Sequence, residues 1–500
     1  MKTKSIRCKF AVAVAVAGLL SSAFAASPSI WNGGGLDDNW NNAANWSGNV
    51  PAPATNYALQ FAGTTRLTPS NDFPALSNFG LITFNSGAGA FTLSGNSITL
   101  NNNIVNSSSS LQTINLDMAL ASNRLVSATS GNVTLGGVIS GGFGLNTTGA
   151  NTVLLKGVNT YTGVTTISGN NMLAVENLAN GGSDSGLGKS SSAVANLVIA
   201  DNATLSYRGS ADASTDRLFS VSGAAVNGAT LSSDGVGTMS FTATGGITYT
   251  TNNTAKIVKL AGTNTGNNTF SLLVANNGSG TVALAKSGVG KWILTGANTY
   301  TGTTTVTAGT LIVNGGQTGA TGAITVSAGA TLGGIGTMGS TTTNLTTSAS
   351  TSVLAPGDGG VGKLSIGGAG NFASGATFKM ELGTAATAGT TYDQLAIGGI
   401  LTGSAAGNMK FDFTNLGSAQ AGTPYKVLTF GSVSGFTVTD LAMINSPGFT
   451  LDIGFNGSGW KINGTDLEVQ FSAVPEPATW ALLAFSLTTV MVLRRRRTRL

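Results

Sequence analysis

Short runs in which apolar and polar residues alternate recur along most of the chain. In Thr377–Leu382, Phe378, Met380 and Leu382 fall on one side and Lys379 and Glu381 on the other. Ala323-Ile324-Thr325-Val326-Ser327, Leu364-Ser365-Ile366 and Leu467-Glu468-Val469-Gln470-Phe471 keep the same period of two. Bounded by Gly, Asn and Ser, such runs predict half-buried strands joined by tight turns. No stretch between residues 28 and 472 carries a 3.6-residue helical period. Residues 75 to 355 contain no proline, as stacked strands require, because proline removes a ladder donor.

The pattern also repeats at long range. Val153-Leu154-Leu155-Lys156-Gly157-Val158-Asn159-Thr160-Tyr161-Thr162-Gly163 returns as Trp292-Ile293-Leu294-Thr295-Gly296-Ala297-Asn298-Thr299-Tyr300-Thr301-Gly302. Each copy runs on into a strand, Thr165-Thr166-Ile167 and Thr304-Thr305-Val306, and the second continues through Ala308-Gly309-Thr310-Leu311-Ile312-Val313. This reads as strand, Gly/Asn corner, strand, corner, strand. Glycine permits positive φ at the corners and asparagine can bond to backbone there. One such coil cannot hide its apolar side, so coils must stack.

The two segments, 144–177 and 282–315, resemble the autotransporter-associated β-strand repeat. The second copy is the closer one, and the first drifts after Gly169. Gly329-Ala330-Thr331-Leu332-Gly333-Gly334, Leu354-Ala355-Pro356-Gly357 and Tyr392-Asp393-Gln394-Leu395 are similar to the continuation in such proteins, and Trp31-Asn32-Gly33-Gly34 to Asn45-Trp46 to a cap-like start. The resemblance implies an all-β protein: a right-handed parallel β-helix of passenger type with an N-terminal cap-like β region, exposed at the cell surface. Autotransporter passengers are followed by a membrane β-barrel, whereas no long series of amphipathic strands follows residue 474. Export by another route is therefore expected.

The chain ends supply that route. Lys2, Lys4, Arg7 and Lys9 precede an uncharged apolar run at 10–20, and Ala23-Phe24-Ala25 offers small residues at both positions a signal peptidase reads. At the other end Val474-Pro475-Glu476-Pro477 breaks regular structure. An uncharged, mostly apolar stretch at 478–493 follows, then Arg494, Arg495, Arg496 and Arg497. As a helix that stretch would rise about 24 Å at roughly 1.5 Å per residue, short for a bilayer core of about 30 Å. Its arginines would stay on the cytoplasmic side. The order of Pro475-Glu476-Pro477, apolar helix and basic end resembles the PEP-CTERM sorting signal. That resemblance implies an exosortase-like sorting protease as partner beside the export machinery. It also implies an inner-membrane-anchored precursor and delivery to the surface or extracellular matrix of a diderm bacterium. The expected organisation is a signal peptide at 1–25, an N-terminal β region at 26–130, a β-solenoid at 131–370, a C-terminal β region at 371–473 and a sorting segment at 474–500 with a transmembrane helix at 478–493.

Composition narrows the function. The net charge of +5 suggests nucleic acid, but four of the 24 Lys+Arg lie in the leader and five in the tail. That leaves 15 against 18 acids in the body, about −3, with no basic footprint for phosphates. Histidine is absent and the one cysteine, Cys8, lies in the leader. This removes the usual general base, nucleophilic triads and zinc ligands. No cofactor or metal is expected.

Several residues remain as candidates. Trp31, Trp40 and Trp46, with Asp37 and Asp38, could stack and hydrogen-bond a sugar, or could cap the solenoid's open strand edges. Tyr161 and Tyr300 read as packing or corner residues, and Asn101-Asn102-Asn103 as side-chain ladders. Asp37-Asp38-Asn39 is the nearest pattern to a calcium ligand set, without the glycine-rich nonapeptide array of calcium-loaded β-rolls. Asp212 and Asp216, with Arg208 and Arg217, read as a solvated loop or as the acid–base set of a β-helix polysaccharide lyase. The expected function is a non-catalytic surface or matrix solenoid. The alternatives are an adhesin or polysaccharide-binding matrix protein and, third, a lyase.

Overall fold

The computed structural model describes residues 28–473 apart from 49, 54–56, 404–408, 436 and 447. The expected signal peptide with Ala23 and Ala25 lies outside the described residues. So does the segment 474–500, with Pro475, Glu476, Pro477, the apolar stretch 478–493 and the four arginines 494–497. No helix of the described residues is long and apolar enough to cross a membrane. Helical structure among them is limited to short 3-10 turns such as Val194–Asn196.

The chain winds into three-sided rungs. Leu59–Phe61, Ser70–Asn71 and Ser77–Phe79 form one rung; Ile82–Phe84, Thr92–Gly95 and Ile98–Leu100 form the next. Each strand lies parallel to its counterpart above, so that Leu59 pairs with Ile82 and Ile82 with Ile104. Successive rungs are therefore about 4.8 Å apart, the spacing of hydrogen-bonded strands. The first face is an 11-stranded sheet ending at Thr248–Tyr249, and the second a 16-stranded sheet running to Ser432–Ser434. The third is a four-stranded sheet to Ile139–Ser140 and then a ten-stranded sheet from Ala213–Thr215 to Leu441–Asn445. A seven-stranded sheet opening at Gly316–Gln317 takes the first-face position in the later rungs, because it follows third-face strands and precedes second-face ones. The molecule is a parallel β-solenoid.

The tight rungs take 19 or 20 residues, as from Lys291 to Thr310 or from Leu145 to Thr165. Longer rungs carry outward loops: Thr165 next pairs with Leu197, beyond a loop at 176–196. Period-two alternation gives most three-residue strands two inward side chains and one outward, as in Ile104–Asn106. Inward residues superpose from rung to rung. Leu93, Ile114, Leu135, Leu155, Val175 and Tyr207 form one such buried column. The parallel stack crosses 130/131 and 370/371 without a break: Gln112–Ile114 pairs with Val133–Leu135, and Gly370–Phe372 joins Leu345–Thr347 to Ile400–Gly403. Those expected boundaries mark changes of sequence character, not of sheet. The topology changes at the two ends: Trp46–Ser47 lies antiparallel to Ser29–Trp31, and Asp466–Val469 lies antiparallel to both Tyr425–Thr429 and Trp460–Asn463. Trp460 then packs on Phe411 at 4.8 Å between ring centroids.

Two lysines point inward and are hydrogen-bonded at the corners. Lys256 Nζ donates to both Asp201 carboxylate oxygens at 2.9 Å and to the Gly223 and Ala225 carbonyls at 2.7 Å. Lys286 Nζ is held by the carbonyls of Ser287, Gly288 and Ala308 at 2.8–3.0 Å, and burial pushes it down to about 8.

Because stability resides in the inward columns, Leu311→Ala is expected to cost about 2–5 kcal/mol, the range for cavity formation in a core. Thr325→Ala, on the outer side of a second-face strand, should cost less than about 0.5 kcal/mol. Equilibrium unfolding of both variants checks this, and equal costs would contradict the stacked interior.

Candidate functional site

The three N-terminal tryptophans, candidates for a sugar contact or for a cap, are interior. Trp31 and Trp40 are fully buried and Trp46 is 5% exposed. Trp31 and Trp46 meet edge to face at 5.1 Å, and Trp40 meets Phe79 the same way at 5.4 Å. Two of the three polar tips are used internally: Trp31 Nε1 donates to the Arg66 carbonyl and Trp46 Nε1 to the Trp40 carbonyl, while Trp40 Nε1 is buried without a hydrogen-bond partner. Trp46–Ser47 returns antiparallel along Ser29–Trp31, so the indoles plug the end of the stack and leave no ring face for a sugar. Asp37 accepts from Asn42 Nδ2 and the Asn39 backbone, and these bonds hold its carboxyl below the usual range. Asp38 binds Arg66 at 3.1 Å and accepts from the Thr68 hydroxyl. Both carboxylates serve the cap, and among the described residues no group of three or more potential metal ligands converges.

Tyr161 and Tyr300 occupy equivalent positions within their repeats but lie on different faces. The first copy begins on the first face at Leu145–Gly149 and the second on the second face at Val282–Lys286, so the repeat frame is rotated by one side. The local chemistry is the same in both. Tyr161 and Tyr300 are fully buried, their hydroxyls lie 2.6 and 2.7 Å from those of Thr165 and Thr304, and burial pushes both up to about 12. Asn159 accepts from Ile139 N and donates to the Gly186 carbonyl; Asn298 accepts from Val274 N and donates to Gln317. On the side without a regular strand, the asparagine amide thus replaces the missing ladder. Asn101 likewise donates to Asn78 in the rung before it.

In the charged group at 208–217, Arg208 and Asp212 are exposed as a solvated loop would have them, but Arg217 is not. Arg217 is 1% exposed and donates to Ser190 Oγ and the Gly188 carbonyl, pinning the 176–196 loop. Asp216 accepts from Gly181 N, and Asp212 from Thr238 N in the following rung. These three side chains fasten backbone, whereas Arg208 reaches the Met172 sulfur.

A recess lies elsewhere, on the outer side of the third face. After Val353–Pro356 the chain does not turn directly into the next strand. Residues 357–362 fold back over the outer surface as a strap. Gly357 and Gly359 make this possible at φ 98° and 73°, a region L side chains rarely adopt. Gly334 and Gly357 exchange backbone bonds at 2.8 and 2.9 Å. Asp358 then reaches back three rungs to accept from Lys291 Nζ at 2.9 Å and two rungs to accept from Asn314 Nδ2 at 2.8 Å. Under the strap, outward-facing Ile293 and Ile312 are only 6% and 5% exposed. Gly333 makes room there, since a Cβ would stand 3.0 Å from Ile312 Cδ1 and 2.3 Å from the Ala355 oxygen. The space enclosed is about 250 Å³, and Lys291, Thr310, Ile312, Lys379, Glu381 and Asp393 are among the residues lining it.

Asp393, 1% exposed, accepts from Gly362 N at 2.6 Å and Glu381 N at 2.7 Å, tying the strap to the strand that carries Glu381. Burial pushes its carboxyl up to about 7, although both amide bonds favour the ionised form. Glu381 Oε2 is buried and has no hydrogen-bond partner. In sequence, Lys379 and Glu381 stand out only as the polar side of a strand. Nothing there connects Asp358 with Lys291, 67 residues away.

The passenger-associated transport repeat family matches residues 145–169 and 284–313. The chain carries passenger-associated transport repeats. These are the two segments that hold Tyr161 and Tyr300 in the interior. A similar protein is the adhesin BmaC autotransporter of Brucella suis biovar 1 (strain 1330), 46% identical over 149 residues. That alignment covers 29% of this chain and 4% of the relative. The chain therefore matches only a small part of that adhesin's length.

Two expectations follow from these geometries. Trp40→Ala should destabilise the protein by about 3–5 kcal/mol, as removal of a buried aromatic does. Thermal unfolding reads the loss, and an unchanged midpoint would return the indole to the surface. For Asp393, a folded value raised above the unfolded one of about 3.9 means that the folded state holds the proton more tightly. Its contribution is full below about pH 4 and is lost as pH rises through about 7. Asp393→Asn should flatten the fall in melting temperature between those pH values, and an unaltered slope would exclude this group as its cause.

Proposed function

We propose that this chain is an exported cell-surface passenger that acts as an adhesin, the solenoid holding a binding surface away from the cell. The observation that carries the reading is the pair of passenger-associated transport repeats built into an unbroken stack, together with the similarity to an autotransporter adhesin. An inert surface scaffold, the first expectation from composition, fits less well because the relative is an adhesin. A non-catalytic role is consistent with Asp212, Asp216 and Arg217 each fastening backbone.

Delivery is part of the proposal. The signal-like segment 1–25 supports export, and Pro475-Glu476-Pro477 with its apolar stretch and arginines supports PEP-CTERM sorting by an exosortase-like protease. The precursor would be held in the inner membrane before release to the surface or matrix.

Bacteria expressing the chain are expected to adhere to host cells or to polysaccharide-coated surfaces more than a deletion strain. Adhesion equal to that of the deletion strain would refute the adhesin reading. Removing residues 475–500 should reduce surface display, read by protease accessibility on intact cells, and abolish C-terminal trimming, read by mass spectrometry. Unchanged display would refute the sorting role alone.

A further inference from the structure

We infer that the recess beneath the 357–362 strap is a saccharide-binding site that takes one ring-sized unit of a neutral, hydroxyl-rich polysaccharide. The inference rests on the adhesin reading and names its ligand class.

Along the regular strands the outer surface sets one exposed side chain above another. The strap interrupts that regularity by standing over several rungs at once and enclosing about 250 Å³. This is below the roughly 300–1,000 Å³ of pockets that engulf drug-sized ligands. The volume suits one unit of an extended chain better than an enclosed cofactor.

The wall chemistry selects among small polar units. Lys291 is already paired with Asp358, so its charge is met. Lys379 is exposed and outward on the same strand as Glu381, two residues away. Beyond that pair, Lys379 shares the space with the carboxyls of Glu381 and Asp393. Asp393, raised to about 7 by burial and already used on two backbone amides, leaves the wall close to neutral, which disfavours a free anion and a free cation alike. A metal is disfavoured further, since no group of three or more ligating side chains forms among the described residues. The buried Glu381 Oε2 without a partner calls for an O–H or N–H donor. Thr310 and Thr331 add hydroxyls, and Ile312 and Ala355 give a small apolar surface. A sugar ring supplies all the complements: hydroxyl donors for Glu381, hydroxyl acceptors for Lys379, and a C–H face for the aliphatic side chains. Asp393 acts through its neighbours as a positioning residue, since its oxygens hold Glu381 N and Gly362 N.

The test uses the full chain with dextran, xylan and cellohexaose as neutral probes, and alginate, inorganic phosphate and calcium as controls, in calorimetric titrations. At least one neutral probe should bind, with affinity reduced about tenfold or more in Glu381→Ala and in Lys379→Ala, as expected for loss of a hydrogen bond to a charged group. Both residues lie on the outer side of their strand, and melting temperatures near that of the unaltered protein confirm that the loss is local. Asp358→Ala, which releases the strap from Lys291 and Asn314, should weaken binding as well. Neutral-probe affinities unchanged in both the Glu381 and Lys379 variants would overturn the site. Binding only of alginate, phosphate or calcium would overturn the ligand class. Bacteria that adhere while the purified chain binds no neutral probe would overturn the inference and leave the adhesin reading standing. Bacteria that do not adhere would remove that reading itself.

Discussion

Every feature of this molecule depends on the hydrogen bonding of each rung to the rung above it. Parallel pairing about 4.8 Å apart forces equivalent residues into superposed columns and leaves little room at the corners. At position 137 a Cβ would come within 2.2 Å of the Leu116 carbonyl oxygen, and at 157 within 2.4 Å of the Gly137 oxygen. Both positions are glycine because the backbones of consecutive rungs nearly touch there. Where no strand forms, Asn159 and Asn298 supply side-chain amides to the same ladder. The stack is thereby continued through its irregular sides.

The same periodicity governs charge. A charged residue placed outward and repeated in each rung would face its like at one strand spacing, and like charges at that distance repel. The outer column of the second face runs instead Ala285, Thr305, Thr325, Thr346, Asn371, Thr402. A charged content of 9% follows from this rule. The buried lysines are consistent with it: Lys256 is met by a carboxylate, and Lys286 by three carbonyls. Lys256 has its charge paired, and Lys286 has its three N–H groups bonded while burial favours its neutral form.

A strictly periodic surface has no place that differs from any other, so specificity must come from departures. The largest are insertions that leave the stack and return to it. The 176–196 loop is fastened by Arg217 and serves packing. The 357–362 strap is fastened by Asp358 and Asp393 and leaves an enclosed volume above the sheet. The scaffold supplies rigidity while the inserted segment shapes a site, a common division of labour between regular elements and loops. A passenger with an adhesive role needs both.

The sequence alone determined that the chain is a stack of short strands. Alternation in Thr377–Leu382, the Asn-Thr-Tyr-Thr-Gly corners and the lack of proline between 75 and 355 are local signals, and strand and corner preferences are local physics. The same signals made Tyr161 and Tyr300 legible as interior residues. They did not reveal that the two repeat copies are turned by one face or that Arg217 is buried, and they left a cap and a sugar contact both open for Trp31, Trp40 and Trp46. Nor did they bring Asp358 to Lys291 or Asp393 to Glu381. Those outcomes depend on which rung lies over which and on how far each insertion displaces the next strand. Such register accumulates along the whole stack, so only the assembled tertiary structure could decide it.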